Sequence, residues 1–236
     1  MLVDVSEDVT RLRLPEAGFV LGIRHRGAAS IVARGGETRL PSASLTGVAG
    51  VARRMRTVAG GAVVLARFRP GGAARVFAEP LHLVGDAVVA LEDLVPRRDV
   101  DRLRQRIAEA RDDHGRVEVL ETFFTSRLRS EASDPFVAHA LEALDARPGG
   151  IRIKDLAREL GISQDVLERR FRRVVGATPK QLASLLRLRR AIDAHRHSIS
   201  LSRLAVEAGY FDQSHFNREL RAITGETPSR FFRRIP

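Results

Sequence analysis

The sequence predicts an α+β fold in which a β-rich N-terminal domain with two helices precedes an all-α C-terminal domain. Three observations support this prediction: short apolar stretches broken by glycine and proline up to about residue 95, a change of texture around residues 129–136, and an internal repeat in the last third. A chain of 236 residues is long enough for two domains with separate cores. We place the boundary between them by assigning residues 1–130 to the first domain and 131–236 to the second.

The N-terminal domain is predicted to contain several short strands. Apolar stretches at 18–23, 62–68 and 87–91 are separated by glycine, proline and charged residues, which is typical of β-rich structure. Pro70 and Gly71 suit the two central positions of a type II turn, since proline fixes the first φ and glycine accepts the positive second one. A tight turn is therefore expected there.

Two helices are expected next, at about 99–111 and 115–129, because apolar residues recur in each at helical spacing. The second helix carries an apolar stripe, whose members are Val117, Leu120, Phe124 and Leu128. Its spacing resembles a short heptad seam, so the 115–129 helix is a candidate homodimer interface. Packing of the stripe against the chain's own sheet is the alternative, and the spacing alone does not separate the two.

The C-terminal domain is predicted to open with a helix that begins after Asp134. An aspartate can accept hydrogen bonds from the free amides of a first helical turn, and Pro135 fits the first helical position. The glycines of the RPGG run at 147–150 end this helix. All of the sequence that follows has helical character.

An internal repeat determines the organisation of this domain. The run GISQDVLERRFRRVVGATP at 161–179 matches GYFDQSHFNRELRAITGETP at 209–228, with the second copy 49 residues further on. Before the turns the offset is 48, so the second turn holds one extra residue. Each copy predicts a short helix, a turn at glycine and a second helix, over about 154–175 and 202–224. The repeat therefore predicts two helix-turn-helix units.

Each second helix is predicted to have an apolar side and a polar side. Ser163 and Asp212 are suited to cap these helices, and Gly161 and Gly209 can supply the left-handed conformation that ends the helices before them. Apolar residues then recur at i, i+4 and i+7, so that one side packs inward. A helix-turn-helix unit needs this arrangement, because its second helix presents a polar face to base edges while its apolar face holds the fold.

The net charge of +11 is concentrated in the same part of the chain. Residues 147–236 hold 19 Lys and Arg against nine Asp and Glu, a net +10, whereas residues 1–146 hold 21 against 20, a net +1. Basic segments attract polyanions because neutralised phosphates release counterions. Together with the repeat, the charge predicts double-stranded DNA as the partner.

The polar faces of the two second helices supply the candidate contacts, because Arg, Asn and Gln can offer the paired donors and acceptors that major-groove edges require. The predicted base contacts are Gln164, Arg169, Gln213, Ser214, Asn217 and Arg218. The predicted phosphate contacts are Arg172, Arg173, Lys180, Arg221, Arg230 and Arg233. Asp165 and Glu168 share the first polar face, where we expect them to stabilise the helix start and to pair with Arg172.

Residues from about 135 to 236 resemble the DNA-binding domain of the AraC/XylS family of bacterial transcription regulators. The residues that carry the resemblance are Asp155-Leu156-Ala157, Leu160-Gly161-Ile162-Ser163, Arg187-Leu188-Arg189, Ala208-Gly209-Tyr210, Asp212-Gln213-Ser214-His215-Phe216, Arg218 and Thr227-Pro228-Ser229. The resemblance implies about seven helices, with a long helix at about 180–195 joining two units that read two adjacent major-groove segments. Tyr210 and Leu220 stand where phenylalanine is usual, and neither departure threatens the fold.

The N-terminal 130 residues resemble the sensing modules that precede this domain in many such regulators. The resemblance therefore makes a small-molecule effector a candidate partner, beside RNA polymerase. A site for an anionic effector could be lined by Arg24, Arg26, Arg67 and His82, although solvent-facing positions on strands are the alternative for each. An effector-independent architectural DNA-binding protein is the alternative function.

Several other classes are disfavoured by composition. The chain has no cysteine, which excludes disulfides, thiolate nucleophiles and cysteine-containing zinc sites, and its seven histidines form no metal-ligand motif. No GxSxG, SxxK, HExxH or GxxxxGK[ST] run occurs, so we expect no enzyme, no cofactor and no metal. No apolar run approaches the roughly 18 residues of a membrane span and the N-terminus lacks a secretion signal, which predicts a cytoplasmic protein without membrane contact.

Overall fold

The computed structural model of the chain describes residues 2–129, 134–147, 149–195 and 200–234. The chain forms two compact units, one made mainly of residues 1–132 and the other mainly of the residues that follow. The predicted boundary between residues 130 and 131 lies outside the described residues. Among the helices that are described, none is long and apolar enough to cross a bilayer.

The first unit is built on two antiparallel sheets. Its described strands are β1 (Leu2–Val5), β2 (Val9–Arg13), β3 (Val20–Arg26), β4 (Ala29–Ala33), β5 (Gly36–Arg39), β6 (Ala43–Thr46), β7 (Arg53–Thr57), β8 (Gly61–Arg67) and β9 (Val88–Ala90). Five strands form one sheet in the order β1-β8-β3-β6-β9, and four form the other in the order β2-β7-β4-β5. The three apolar stretches predicted as strands correspond to β3, β8 and β9. Leu21 and Ile23 of β3 are fully buried, because alternate side chains of a strand face the core.

Two α-helices accompany these sheets, α1 (Arg97–Glu109) and α2 (Asp113–Thr125). Asp112 caps α2, because its side chain accepts a hydrogen bond from the amide of Gly115 at 2.8 Å. Both predicted helices are therefore present, but each lies earlier in the chain than the prediction placed it.

The predicted apolar stripe of the second helix is partly wrong. Leu120 is buried, and Phe124 packs edge-on against Phe68 with ring centroids 5.3 Å apart. Val117 is exposed, however, and Leu128 lies beyond the end of α2 and is also exposed. The buried residues of α2 recur at helical spacing, but they form a different stripe from the predicted one. The members of the buried stripe are Val119, Leu120 and Phe123.

The second unit is helical throughout its described residues. Its helices are α3 (Pro135–Ala146), α4 (Ile153–Glu159), α5 (Gln164–Val175), α6 (Pro179–His195), α7 (Leu201–Glu207), α8 (Gln213–Thr224) and α9 (Pro228–Phe232). This confirms the expectation of seven helices. Helices α4 and α5 form one helix-turn-helix unit and α7 and α8 form the other, while the 17-residue α6 joins them.

The core of the second unit repeats the pattern of the sequence. In the first helix-turn-helix unit, the residues that are at most 2% exposed include Leu156, Ala157, Leu167 and Phe171. Their counterparts in the second helix-turn-helix unit are Leu204, Ala205, Phe216 and Leu220, all fully buried. Burial of each large side chain contributes about 1.5–3 kcal/mol. The small alanine of each pair lets the two helices of a unit approach closely.

Asp134 connects the start of α3 to helix α5. Its Oδ1 accepts hydrogen bonds from the amides of Phe136 at 3.1 Å and Val137 at 3.4 Å, which confirms the predicted cap. Its Oδ2 accepts from Arg170 Nη1 at 2.8 Å, so the same carboxylate forms an ion pair with α5. The Arg170 guanidinium also lies over the ring of Phe136, 4.9 Å from its centroid.

Replacing Asp134 is expected to lower the stability of the second unit. We expect Asp134→Ala to reduce the free energy of unfolding by about 1–2 kcal/mol, since it removes a helix cap and a partly exposed ion pair. The chain has one tyrosine, Tyr210, and no tryptophan, so tyrosine fluorescence during urea unfolding reports on this unit alone. Asp145→Ala, at an exposed position near the end of the same helix, is the matched control and should change stability by less than about 0.5 kcal/mol. Equal effects of the two substitutions would contradict this role.

Candidate DNA-binding surface

The two helix-turn-helix units have turns of the same construction. Gly161 has φ of 68° and Gly209 has φ of 88°, so each ends the preceding helix in the left-handed conformation that favours glycine. The following residues, Ile162 and Tyr210, donate their amides to the carbonyl of the buried alanine five positions earlier, at 3.1 and 2.9 Å. These bonds fix where the chain leaves the first helix of each unit.

The second helix of each unit begins at the predicted cap. Ser163 Oγ accepts a hydrogen bond from the amide of Val166 at 3.3 Å. Asp212 Oδ1 accepts from the amide of His215 at 2.6 Å. The caps satisfy amides that would otherwise be unpaired at the helix start. Helices α5 and α8 therefore begin with equivalent caps, although the second turn is one residue longer.

Three of the predicted base contacts are exposed and have no side-chain partner among the described residues. These residues are Arg169, Ser214 and Arg218. Arg169 and Arg218 occupy equivalent positions in the repeat. An unpaired guanidinium at an equivalent point of each reading helix can donate two parallel hydrogen bonds to a guanine edge.

The two glutamines of the predicted set are already hydrogen-bonded. Gln164 donates through Nε2 to Glu168 Oε1 at 3.0 Å, and Glu168 also pairs with Arg172 at 3.6 Å. The pairing of Glu168 with Arg172 is the role that the sequence predicted for this glutamate. Gln213 accepts from Ser202 Oγ at 2.6 Å through its Oε1, which leaves its two N–H donors available.

Asn217, like Gln213, is less exposed than the other predicted base contacts. The residue is half-buried, and its Oδ1 atom is buried without a hydrogen-bond partner among the described residues. His215, which directly follows Ser214, is also half-buried and packs edge-on against Tyr210 at 5.3 Å. These side chains lie at the margin of the polar face and not at its centre.

The predicted phosphate contacts lie on the surface of the second unit, and all six are exposed. Two of them have partners: Arg172 pairs with Glu168, and Arg233 Nε donates to the Ser229 carbonyl at 3.1 Å. The four that have no side-chain partner among the described residues are Arg173, Lys180, Arg221 and Arg230. These four cations are free to meet an anionic backbone.

A largely buried ion pair joins the linking helix α6 to α8, and the sequence analysis missed it. Arg187 Nη2 of α6 donates to Glu219 Oε2 of α8 at 2.8 Å, and the two side chains are 15% and 16% exposed. The guanidinium lies over the ring of Tyr210, 5.4 Å from its centroid. Burial raises the pKa of the Tyr210 hydroxyl above its ordinary value, so the ring stays neutral beside this pair.

The four predicted effector residues are distributed over the first unit. Along the β3–β8 ladder, Arg24 is opposite Val63 whereas Arg67 is opposite Val20. Four residues separate these positions, or about 13 Å at the rise of a strand, so the two arginines lie at different ends of the ladder. His82 is exposed in a short 3-10 helix, Leu81–Leu83.

The arginines of this set also differ in their partners. Arg26 pairs with Asp4 at 3.2 Å, and Arg67 pairs with Glu16 at 2.8 Å. Arg24 has no carboxylate partner in the described part of the chain; its Nη1 donates to the Pro41 carbonyl at 3.2 Å. Burial lowers the pKa of Arg24 from its ordinary value, and the charge of a nearby arginine adds to the effect. Arg24 is therefore a partly buried cation without an anion.

Two cavities of the first unit are lined by none of these four residues, although Asp4 in the lining of the first pairs with Arg26. One of about 190 Å³ is lined by residues from 3 to 13 together with Met55 and Thr57. The other, about 430 Å³, is a groove between α1 and α2 with Leu103 and Phe123 among its apolar lining and three arginines, Arg102, Arg106 and Arg127. Neither cavity contains a predicted effector residue.

Comparisons with known proteins agree with this architecture. A family model described as a helix-turn-helix domain matches residues 156–234. ToxT from Vibrio cholerae is similar over 98% of this chain and 96% of its own, with 13% identity and a TM-score of 0.52. A structure of ToxT from Vibrio cholerae O395 bound to (E)-4-(8-methylnaphthalen-1-yl)but-3-enoic acid is similar over the same shares, with 13% identity and a TM-score of 0.51. A DNA-binding transcriptional dual regulator from Escherichia coli K-12 matches 44% of this chain and 96% of its own, with 26% identity and a TM-score of 0.37. No curated protein sequence matches the chain significantly.

Breaking the ion pair between α6 and α8 is expected to lower the stability of the second unit. We expect Glu219→Ala to lower the free energy of unfolding by about 3–5 kcal/mol, because it leaves the Arg187 guanidinium buried without a counter-ion. Tyrosine fluorescence during urea unfolding measures this change. The double variant Arg187→Met with Glu219→Leu removes both charges and should be far less destabilised than Glu219→Ala alone. A double variant as unstable as the sum of the two single ones would contradict this coupling.

Proposed function

We propose that the chain is a DNA-binding transcription regulator of the AraC family that recognises a specific DNA sequence by placing α5 and α8 in two adjacent segments of the major groove. One observation carries the proposal: in both helix-turn-helix units a left-handed glycine ends the first helix and a side-chain cap starts the second, and each unit exposes an arginine, Arg169 or Arg218, that has no side-chain partner among the described residues. Two reading helices in one chain recognise two short blocks of sequence.

The length of α6 limits how the two blocks are reached. Its 17 residues span about 25 Å at 1.5 Å per residue, whereas successive major-groove faces on one side of DNA lie about 34 Å apart. Either α5 and α8 lean outward along the groove or the duplex bends toward the protein. Bending would add a preference for deformable base steps between the two blocks.

Arg218 and Arg221 are proposed to have different roles, although both are exposed on α8. We expect Arg218→Ala to relax the base preference in one block, with a loss of about 1–3 kcal/mol on the preferred operator and a smaller loss on random DNA. Arg221→Ala should weaken binding to all sequences equally and reduce the slope of log affinity against log salt by about one.

Binding titrations of both variants on preferred and scrambled duplexes, at several salt concentrations, measure these effects. The variants are matched controls for each other, because both remove one arginine from the same helix. Identical effects of the two substitutions on base preference and salt slope would contradict the division into base and phosphate contacts.

A small-molecule effector bound by the first unit is the second part of the proposal. ToxT, whose fold this chain shares, has been solved with a carboxylic acid. In this chain Arg24 is a partly buried cation without a carboxylate partner in the described residues, so a bound anion would offset its burial. Homodimerisation through the second helix of the first unit and contact with RNA polymerase stay predictions.

Ligand binding at Arg24 predicts a shift in thermal stability. A carboxylic acid such as (E)-4-(8-methylnaphthalen-1-yl)but-3-enoic acid should raise the Tm of the full chain, by the equivalent of about 2.7 kcal/mol at a hundredfold excess over Kd. The shift should disappear in Arg24→Met and persist in Arg26→Met, since Arg26 already has Asp4. If a panel of aromatic and aliphatic acids leaves Tm and DNA affinity unchanged, effector-independent architectural binding becomes the better description.

A further inference from the structure

The extra residue in the second helix-turn-helix turn can be located from the hydrogen bonds. Ile162 and Tyr210 are equivalent, since each amide bonds to the alanine carbonyl five residues earlier. Ser163 and Asp212 are also equivalent, since each caps its helix through the amide three residues later. Ile162 is followed directly by the first cap, whereas Phe211 stands between Tyr210 and the second cap. Phe211 is therefore the inserted residue.

The insertion places one aromatic ring inside the unit and the next one outside. Tyr210 is 4% exposed and packs edge-on against Phe216, with ring centroids 5.2 Å apart. Phe211 is 90% exposed, which makes it the most exposed large hydrophobic side chain among the described residues. Its ring has no aromatic contact among those residues either. The core of the unit does not use Phe211, so packing does not explain it.

The position of this ring is informative. Phe211 directly precedes Asp212, whose side chain caps α8, and the next two residues are the predicted base contacts Gln213 and Ser214. The N-terminal residues of a recognition helix are the ones that reach base edges in the major groove. The exposed ring therefore lies at the end of α8 that enters the groove.

We propose that Phe211 is a specificity-determining residue that contacts the C5-methyl group of a thymine in the block read by α8. This inference rests on the proposed function. Thymine is the one base whose major-groove edge carries a methyl group, and phenylalanine is among the side chains that contact it. The first helix-turn-helix unit has no counterpart to Phe211, so this preference for thymine is confined to the block read by α8.

The test uses the full chain and the operator selected by it from random duplexes. Each thymine of the α8 block is replaced in turn by deoxyuridine, which removes the methyl group and leaves every hydrogen-bonding atom in place. For the unaltered chain, one replacement should weaken binding about three- to fivefold, the effect of losing one buried methyl contact. Phe211→Ser should bind the thymine and deoxyuridine duplexes equally.

Leu83→Ser is the matched control, because it also removes a large exposed apolar side chain, 68% exposed, but lies in the first unit. It should keep the discrimination between thymine and deoxyuridine. Since Phe211 is exposed, Phe211→Ser should also unfold at the same urea concentration as the unaltered chain, which separates its effect on DNA from an effect on folding.

Four results would overturn the inference. If the unaltered chain binds the thymine operator and all the deoxyuridine operators equally, no methyl contact exists. The selected operator would still support the proposed function. Undiminished discrimination in Phe211→Ser would assign the methyl contact to another residue, and an effect of Phe211→Ser on a protein partner alone would assign the ring to that partner. Failure to select any operator would overturn the proposed function together with this inference.

Discussion

The left-handed glycine turn is the constraint on which both reading helices depend. In each unit, glycine ends the first helix and the amide of the next residue bonds to the carbonyl of a buried alanine. The alanine allows the helices to lie close together, and the glycine allows the chain to reverse without strain. Each second helix then starts at a fixed angle with its apolar side against the core. Its polar side therefore faces outward.

Each reading helix is also held by an ion pair at the residue that follows its reading arginine. In α5 this residue is Arg170, which pairs with Asp134 of α3 at 2.8 Å. In α8 it is Glu219, which pairs with Arg187 of α6 at 2.8 Å. The charges are reversed, but the arrangement is alike: in each helix an exposed arginine is followed by a residue that pairs with a different helix. The second pair is the more deeply buried, so α8 depends more on its ion pair than α5 does.

Most of the second unit could be predicted from sequence because its signals are local. Caps, turn glycines and helical spacing lie within a few residues of one another, and the repeat shows each signal twice. The pair between Arg187 and Glu219 could not be predicted, since 32 residues separate its partners and no spacing rule connects them. The hydrogen bonds that occupy Gln164 and Gln213 were missed for a different reason. The sequence shows that a polar residue lies on an outer face, but not whether a neighbouring side chain already forms a hydrogen bond with it.

The first unit was less predictable because sheets are built from contacts that are distant in sequence. The strands could be anticipated from short apolar stretches, but the order β1-β8-β3-β6-β9 joins segments with no pattern in common. Within it, the antiparallel register of β3 and β8 separates Arg24 from Arg67 by four positions, although the sequence had grouped the two arginines by charge alone. On α2, two helical registers were compatible with the apolar residues, and the contact with the rest of the unit selected the one that buries Val119 and Phe123.

Selection of bound sequences from random duplexes by the full chain, at near-physiological salt, tests the central claim most directly. Two reading helices fixed by one linking helix predict an operator with two conserved blocks about one helical turn apart. Arg169→Ala should erase the information in one block and Arg218→Ala in the other. A single block, or loss of the same block in both variants, would contradict reading by two helices.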